Sequence, residues 1–189
     1  AAYPPVRNVH DAGILIESVA PAPVEAAVAG AATGIGLRLA TAMGLAGTLT
    51  VELFLLDDGS LVVNELAPRV HNSGHWTIEG AATSQFEQHI RAICGLPLGS
   101  TEMTAPAAAT VNLLGTGPER AARVRGVGAA LADPAVHLHV YDKRRVFERR
   151  KMGHLTVLGP SVEEALERGR GARAALAWAD GPAEAELAR

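Results

Sequence analysis

A chain of 189 residues is long enough to bury a real core, as one medium domain or two small ones. Hydrophobic residues make up 48% and charged residues 20%, an ordinary globular composition, and a net charge of −3 gives no electrostatic basis for binding nucleic acid or an anionic membrane. Cys94 is the single cysteine, which excludes an internal disulfide, and its place in an apolar helical pattern predicts an inert core thiol. The most apolar region, Ala26 to Val51, is rich in Ala and Gly and interrupted by Arg38, so no membrane span is expected. No signal peptide is visible, and the cytoplasm is the default expectation.

In chain order, Ala1 to Ala22 reads as a loop leading into a short strand, Gly13 to Val19, stopped by Ala20-Pro21-Ala22-Pro23. From Val24 to Met43, apolar residues at Val24, Val28, Ala31, Ile35, Leu39 and Ala42 follow helical spacing. Gly30, Gly34 and Gly36 weaken that helix by about 1 kcal/mol each relative to Ala. They do not make a phosphate loop: Gly34-x-Gly36 lacks a third Gly, no strand directly precedes it, and Gly-Lys-Ser/Thr occurs nowhere.

Two β-rich runs, Thr48–Leu56 and Leu61–Leu66, flank Asp57-Asp58-Gly59-Ser60, a strong hairpin signal because Gly tolerates the positive φ of a tight turn. With Asp58 and Gly59 at the tip, Glu52 faces Glu65 on one side of the hairpin, Cβ atoms roughly 4.5–5.5 Å apart. Facing carboxylates repel; solvation, one raised pKa or a cation between them relieves this. The apolar neighbours of Glu52 argue against full solvation, and a hard divalent ion such as Mg2+ suits a carboxylate pair that also holds phosphates. An exposed hairpin with accidental facing acids explains the pair equally well until the next residues are read. Asn64-Glu65-Leu66-Ala67-Pro68-Arg69-Val70-His71-Asn72-Ser73-Gly74-His75 then packs polar side chains suited to an anion or a sugar into one loop on a rigid support.

Thr83 to Gly95 predicts a helix with Phe86, Ile90 and Ile93 as its apolar stripe, Thr83 as N-cap and Gly95 as terminator, with His89 at the boundary of the core. Leu96 to Ala107 reads as a linker, Ala109–Leu114 as a strand, Gly115-Thr116-Gly117-Pro118 as a turn, and Pro118 to Ala132 as a helix. Val136, Leu138 and Val140 alternate with His137, His139 and Tyr141, a half-buried strand whose histidines are expected on an exposed face. Six cations fall within the nine positions Lys143 to Lys151; a solvated hairpin tip accounts for them, but Arg also grips phosphate through paired donors. A strand at Leu155–Leu158 and a helix opened by the capping box Ser161-x-x-Glu164 close the chain, with a fraying Ala- and Glu-rich tail.

The run N-E-x-A-P-R-x-H-N-S-G-H-W-T, here Asn64 to Thr77, resembles the signature of the N5-carboxyaminoimidazole ribonucleotide synthase family of ATP-grasp ligases. Tyr3-Pro4-Pro5-Val6-Arg7-Asn8-Val9-His10, Tyr141-Asp142-Lys143 and Arg150-Lys151-Met152-Gly153-His154 resemble further family segments. The resemblance covers Tyr3 to about Leu176 but only the carboxy-terminal half of the family pattern; its Rossmann-like domain and lid are not visible. Where the family usually has an Arg-Pro-Gly turn, this chain reads Phe147-Glu148-Arg149.

The resemblance implies an α+β fold: the carboxy-terminal part of an ATP-grasp domain over 1–100, then a small β-rich domain with flanking helices over 101–189. It implies ATP- and bicarbonate-dependent carboxylation of 5-aminoimidazole ribonucleotide through carboxyphosphate, in purine synthesis. By the same match, Glu52 and Glu65 hold Mg2+, His10, Asn64 and Glu65 contact ATP, and Arg69, His71 and Asn72 are catalytic and line the substrate. Ser73 orients the ribonucleotide, and Lys143 and Arg150 hold its 5′-phosphate. A homodimer is expected, with no nucleic-acid or membrane partner. Other readings are a glycinamide ribonucleotide transformylase or biotin carboxylase type of ATP-grasp ligase, and a non-catalytic ribonucleotide-binding fragment. The transformylase carries Asp-Thr-Gly where this chain has Asn72-Ser73-Gly74-His75.

Overall fold

The structure is a computed structural model and describes residues 1–179. It mixes helix and sheet around one five-stranded antiparallel sheet of order β1 (Arg7–Asp11), β2 (Ile14–Ala20), β5 (Ala107–Leu114), β10 (Lys151–Gly159), β8 (Val136–Val140). Because β2 pairs with β5, the segments before and after residue 100 share this sheet. Between them in sequence come α1 (Ala26–Ala42), the hairpin β3 (Thr50–Leu55) and β4 (Leu61–Ala67), a 3-10 turn at Asn72–Gly74, and the helices α2 (Thr77–Gly80) and α3 (Gln85–Ile93). β6 (Arg120–Ala121), β7 (Val124–Arg125), α4 (Val127–Ala130), β9 (Arg145–Val146), α5 (Val162–Ala175) and β11 (Ala177–Trp178) complete the described chain.

Side chains alternate across a strand, and the two faces of this sheet differ in kind. Val19, Ala109, Val111, Leu113, Leu155 and Val157 form the apolar face, packed beneath α5 through Ala165, Leu166 and Ala172. Gly169 lets α5 come close, since a Cβ there would lie 3.0 Å from Val111. On this face buried Glu17 accepts two 2.7 Å hydrogen bonds from Arg170 of α5, a bidentate pair that compensates the burial of its charge. The opposite face is graded. Ala20, Ala108 and Leu158 lie under Trp76; then come Ser18, Thr110 and Thr156 in one register row, then Asn112, His154 and His139 in the next.

The long helix forms as its periodicity predicts, yet none of its residues is buried. The Ser161 half of the capping box also forms, Ser161 Oγ accepting from the Glu164 N–H at 3.2 Å, while Glu164 Oε1 turns to Arg168. Four expectations need correction. First, the opening loop contains β1, joined to β2 by Ala12 and Gly13 at φ of 44° and 77°, the positive values a tight hairpin turn demands. Second, α3 begins after Ser84, not Thr83, with Ser84 Oγ accepting from the Glu87 N–H. Third, Phe86, Ile90, Ile93 and Cys94 are exposed, while Gln85 and Gln88 turn inward. Their amides satisfy loop backbone; Gln88, for example, donates to Gly99 O at 2.6 Å and accepts from Gly99 N at 3.0 Å.

Fourth, the helix expected from Pro118 to Ala132 is reduced to α4. Val124 and Arg125 are instead paired with Trp178 and Ala177, and Gly126 turns the chain with a left-handed φ of 82°. Leu96 to Pro106 forms a linker apart from one bridge between Met103 and Ala81. The expected fraying tail lies mostly outside the described residues. Among the described residues, no helix is long and apolar enough to cross a membrane.

A Cβ at Gly126 would sit 1.9 Å from the Ala175 carbonyl oxygen, in addition to the strain of its φ. Gly126→Ala is expected to cost on the order of 2 kcal/mol or more of stability, read as a lower midpoint in denaturant unfolding.

Candidate functional site

The hairpin brings Glu52 opposite Glu65, as its turn chemistry predicts, but by a different route. The tip is centred on Asp58: Leu56 N–H bonds Ser60 O and Gly59 N–H bonds Leu56 O, each at 2.9 Å. That turn sets Leu53 against Val63, and a bulge that leaves Asn64 unpaired restores the Glu52–Glu65 pairing. Bulges beside binding sites re-aim side chains, and this one sits at the Asn64-Glu65 pair.

One ligand atom from each of Glu52, Glu65 and His71 lies within 4.8 Å of the other two. His71 is held from both sides. Its Nδ1 accepts from the Ser73 N–H at 3.3 Å and lies 2.9 Å from Ser73 Oγ. An Nδ1 that accepts leaves the proton of the neutral ring on Nε2, which faces Glu52 Oε1 at 3.6 Å. Burial lowers the His71 pKa and outweighs the opposite pull of Glu52, with Arg69 and Lys151 also lowering it. His71 therefore stands neutral beside the carboxylates and does not cancel their charge. The oxygen pair suits a hard divalent ion; a protonated Nε2 does not add a third ligand.

The loop after β4 lies over the polar face of the sheet. Asn72 Nδ2 donates to Asn112 Oδ1 at 3.1 Å, and Asn112 Nδ2 donates to Leu15 O at 2.7 Å. Arg69 and Asn64 are exposed, whereas Ser73 is buried beneath His71. His75 lies with its ring centroid 4.8 Å from His154, which stacks on His139 at 4.5 Å. His139 Nε2 donates to Glu79 Oε1 at 2.6 Å, so this histidine closes the site's floor and does not lie on the open face expected for it. Burial pushes His75 down to about 4, helped by His71, His139 and Lys151, and pushes His154 down to about 3, helped by His75 and His139. Burial also raises Tyr141 to about 12, so its hydroxyl stays protonated, and it shares a 3.0 Å hydrogen bond with His154 Nδ1.

At the far rim, two members of the basic cluster meet carboxylates: Arg145 pairs with Glu119 and Arg149 with Asp11. Lys143 and Arg150 have backbone partners instead. Lys143 Nζ donates to Lys151 O, and Arg150 donates to Arg145 O at 2.6 Å while its guanidinium lies 5.0 Å from the Phe147 ring centroid. Burial lowers the Lys143 pKa, and the charges of Arg150 and Lys151 lower it further. Such a group of mutually repelling cations without carboxylate partners among the described residues is suited to an anion. Lys151 is near enough to depress both His71 and His75, which joins this basic rim to the acidic hairpin. His10 is exposed on β1 and outside the Glu52–Glu65–His71 group. Glu79, Gln85, Asn112 and His154 were not singled out from sequence; Gly153-His154 and Gly74-His75 lie within the quoted motifs, which was the available signal.

Residues 1–86 match the ATP-grasp domain family, and residues 108–168 match the phosphoribosylaminoimidazole carboxylase C-terminal domain. The paired carboxylates on a hairpin, followed by a polar loop, thus belong to an ATP-grasp chain. N5-carboxyaminoimidazole ribonucleotide synthase of Bacillus subtilis is 43% identical over 169 residues, which are 87% of this chain and 42% of the relative. The crystal structure of the synthetase from Thermotoga maritima has a TM-score of 0.82 at 45% identity, covering 85% of this chain and 45% of that one. The synthase from Aspergillus clavatus, solved with ADP and 5-aminoimidazole ribonucleotide, has a TM-score of 0.80 at 35% identity, covering 90% and 46%. The chain belongs to the N5-carboxyaminoimidazole ribonucleotide synthase family, and it spans less than half the length of these relatives.

The depressed histidines set an acid limit. Unfolded, His75 and His154 take up protons near 6.5; folded, they do so only near 4 and 3. The stability that their neutral state confers is complete above about pH 6.5 and is lost as pH falls toward those folded values, by about 1.4 kcal/mol per pH unit for each proton. Urea unfolding between pH 7 and 4 is expected to show this uptake, with His154→Gln reducing the slope by about one proton. An unchanged slope would show that His154 is protonated in the fold.

Proposed function

We propose that this chain provides the metal-binding and ribonucleotide-binding parts of an ATP- and bicarbonate-dependent carboxylation of 5-aminoimidazole ribonucleotide. The observation that carries the proposal is the approach of Glu52, Glu65 and His71 to within 4.8 Å, beside a basic rim in which Lys143 and Arg150 lack carboxylate partners among the described residues. Family membership supplies the chemistry. ATP phosphorylates bicarbonate to carboxyphosphate, and the exocyclic amine attacks its carboxyl carbon. The C–O bond to phosphate breaks, and the amine proton leaves with the phosphate.

Glu52 and Glu65 would hold Mg2+, with Asn64 beside them on the bulge. When bound, the ion neutralises charge on the nucleotide phosphates, where positioning and electrostatics dominate phosphoryl transfer. His10 joins Asn64 and Glu65 as a nucleotide contact. Arg69 is exposed and free to reach an anionic intermediate, while His71 and Asn72 line its meeting place with the amine. Ser73 acts through His71, orienting it toward the ribonucleotide. Lys143 and Arg150 anchor the 5′-phosphate as charge-assisted donors. The ATP-grasp part runs to about residue 100 and the small β-rich part follows. Bicarbonate, a cytoplasmic setting and a homodimer accompany this reading through the family alone.

ADP release, measured with ATP, Mg2+ and bicarbonate, is expected to rise on adding 5-aminoimidazole ribonucleotide. Glu65→Gln is expected to lower that rate at least a hundredfold, the scale of losing a group that acts on transition-state charge, with a melting temperature no lower than that of the wild type. Normal turnover in this variant would remove the metal assignment. Stimulation by glycinamide ribonucleotide instead would mark the transformylase type, and ribonucleotide binding without ADP release would mark a binding unit.

A further inference from the structure

Gln85, the first residue of α3, is 2% exposed and lies outside the Asn64 to Thr77 motif loop, yet its side chain holds that loop in place. Its Oε1 accepts from the His71 backbone N–H at 3.0 Å. Its Nε2 donates to the His71 carbonyl at 2.8 Å and to His75 Nδ1 at 3.0 Å. Only this orientation of the amide satisfies both backbone groups of His71, so the assignment of its oxygen and nitrogen is fixed by the contacts. The proton of the neutral His75 ring is thereby placed on Nε2. A Cβ at Gly74 would meet Gln85 Oε1 at 2.5 Å, so the loop runs against this amide closely enough to require glycine.

The backbone of Gln85 is engaged separately. Its N–H donates to Thr77 Oγ1 at 2.9 Å, and its carbonyl accepts from Thr48 Oγ1 at 3.3 Å, just before β3. Backbone contacts thus hold the base of the hairpin that carries Glu52, and side-chain contacts hold the loop that carries His71. A side-chain change disturbs the second set and leaves the first.

We infer that Gln85 is a positioning residue for ribonucleotide binding: its buried amide fixes the His71 backbone and the His75 ring, and through them the Arg69–Ser73 wall. This rests on the ribonucleotide site proposed above. Gln85→Glu keeps the shape but turns a second acceptor oxygen toward the His71 carbonyl and His75 Nδ1. Gln85→Asn keeps the neutral amide but withdraws it by one methylene.

Calorimetric titration of the full chain with 5-aminoimidazole ribonucleotide and, separately, with Mn2+ as a probe of the carboxylate pair tests the inference. Wild-type protein is expected to bind both. Both variants are expected to lose ribonucleotide affinity on the order of tenfold or more, as befits loss of buried hydrogen bonds, while Mn2+ affinity is retained. If Gln85→Glu does not fold, Gln85→Asn decides. Unchanged ribonucleotide affinity in a folded variant overturns the inference, as does a parallel fall of ribonucleotide affinity, Mn2+ affinity and melting temperature, the mark of a purely structural residue. Wild-type protein that binds Mn2+ but no ribonucleotide overturns the proposed ribonucleotide site itself, and the positioning role with it.

Discussion

β5 and β10 are buried along nearly their whole length, so polar side chains on one of their faces have only protein partners to turn to. Asn112 and His154 Nδ1 find them, and Thr110 Oγ1, Thr156 Oγ1 and His154 Nε2 do not among the described residues. This constraint organises the site. Asn112 is answered by Asn72 and by the Leu15 carbonyl, His154 by Tyr141, and neighbouring His139 by Glu79. The partners come from the segment after the hairpin and from the end of β8, so satisfying the sheet draws the loop and the basic rim to one place. At the other end of the same face, Trp76 covers Ala20 and Ala108, a dry contact that anchors the loop where no polarity is required. The apolar face does the complementary task, burying Val111, Leu155 and Val157 with α5 or the core beside it. Stability comes mainly from that side, which frees the other to keep groups that a stability-optimised core would not contain.

The hairpin solves a different problem. Facing carboxylates are unfavourable, and a one-residue slip would separate them onto opposite faces. The bulge at Asn64 instead keeps them paired after a turn that had moved the register. A fold that needed only a stable hairpin has no use for that correction. His71, the one imidazole in contact range, remains neutral because burial outweighs the attraction of Glu52.

Much of this was legible in the sequence. Asp58-Gly59 disclosed the hairpin, but the facing of Glu52 and Glu65 depends on a tip centred on Asp58 and a bulge at Asn64 that the turn signal did not show. The Asn64 to Thr77 run disclosed the family and the loop residues. Ser161 and Glu164 disclosed the last helix. Local signals misled where tertiary contacts overrode them. The stripe Phe86, Ile90, Ile93 has helical period, and the helix exists, but its buried side is chosen by Gln85 and Gln88 because two loops need backbone partners there. Period alone cannot tell which side of a helix meets the protein. The helix expected after Pro118 failed because β7 pairs with a strand more than fifty residues away, a contact that no local window contains. His139 reads from sequence as an exposed strand residue and His154 only as the end of a motif, and the sheet register sets them side by side.

The two charged ends belong together energetically. Carboxylates within 4.8 Å repel by about 1 to 3 kcal/mol between the effective dielectric of water and that of a protein surface. The same repulsion acts among Lys143, Arg150 and Lys151, and it contributes to the lowered Lys143 pKa. Direct pairing of the two clusters would relieve both, but Lys151, which acts on His71 and His75, meets neutral rings without an ion pair among the described residues. A phosphate alone relieves only the basic rim, and a cation alone relieves only the hairpin. Ligands that supply a cation at one end and a phosphate at the other relieve both, and each then stabilises the folded chain in proportion to its binding.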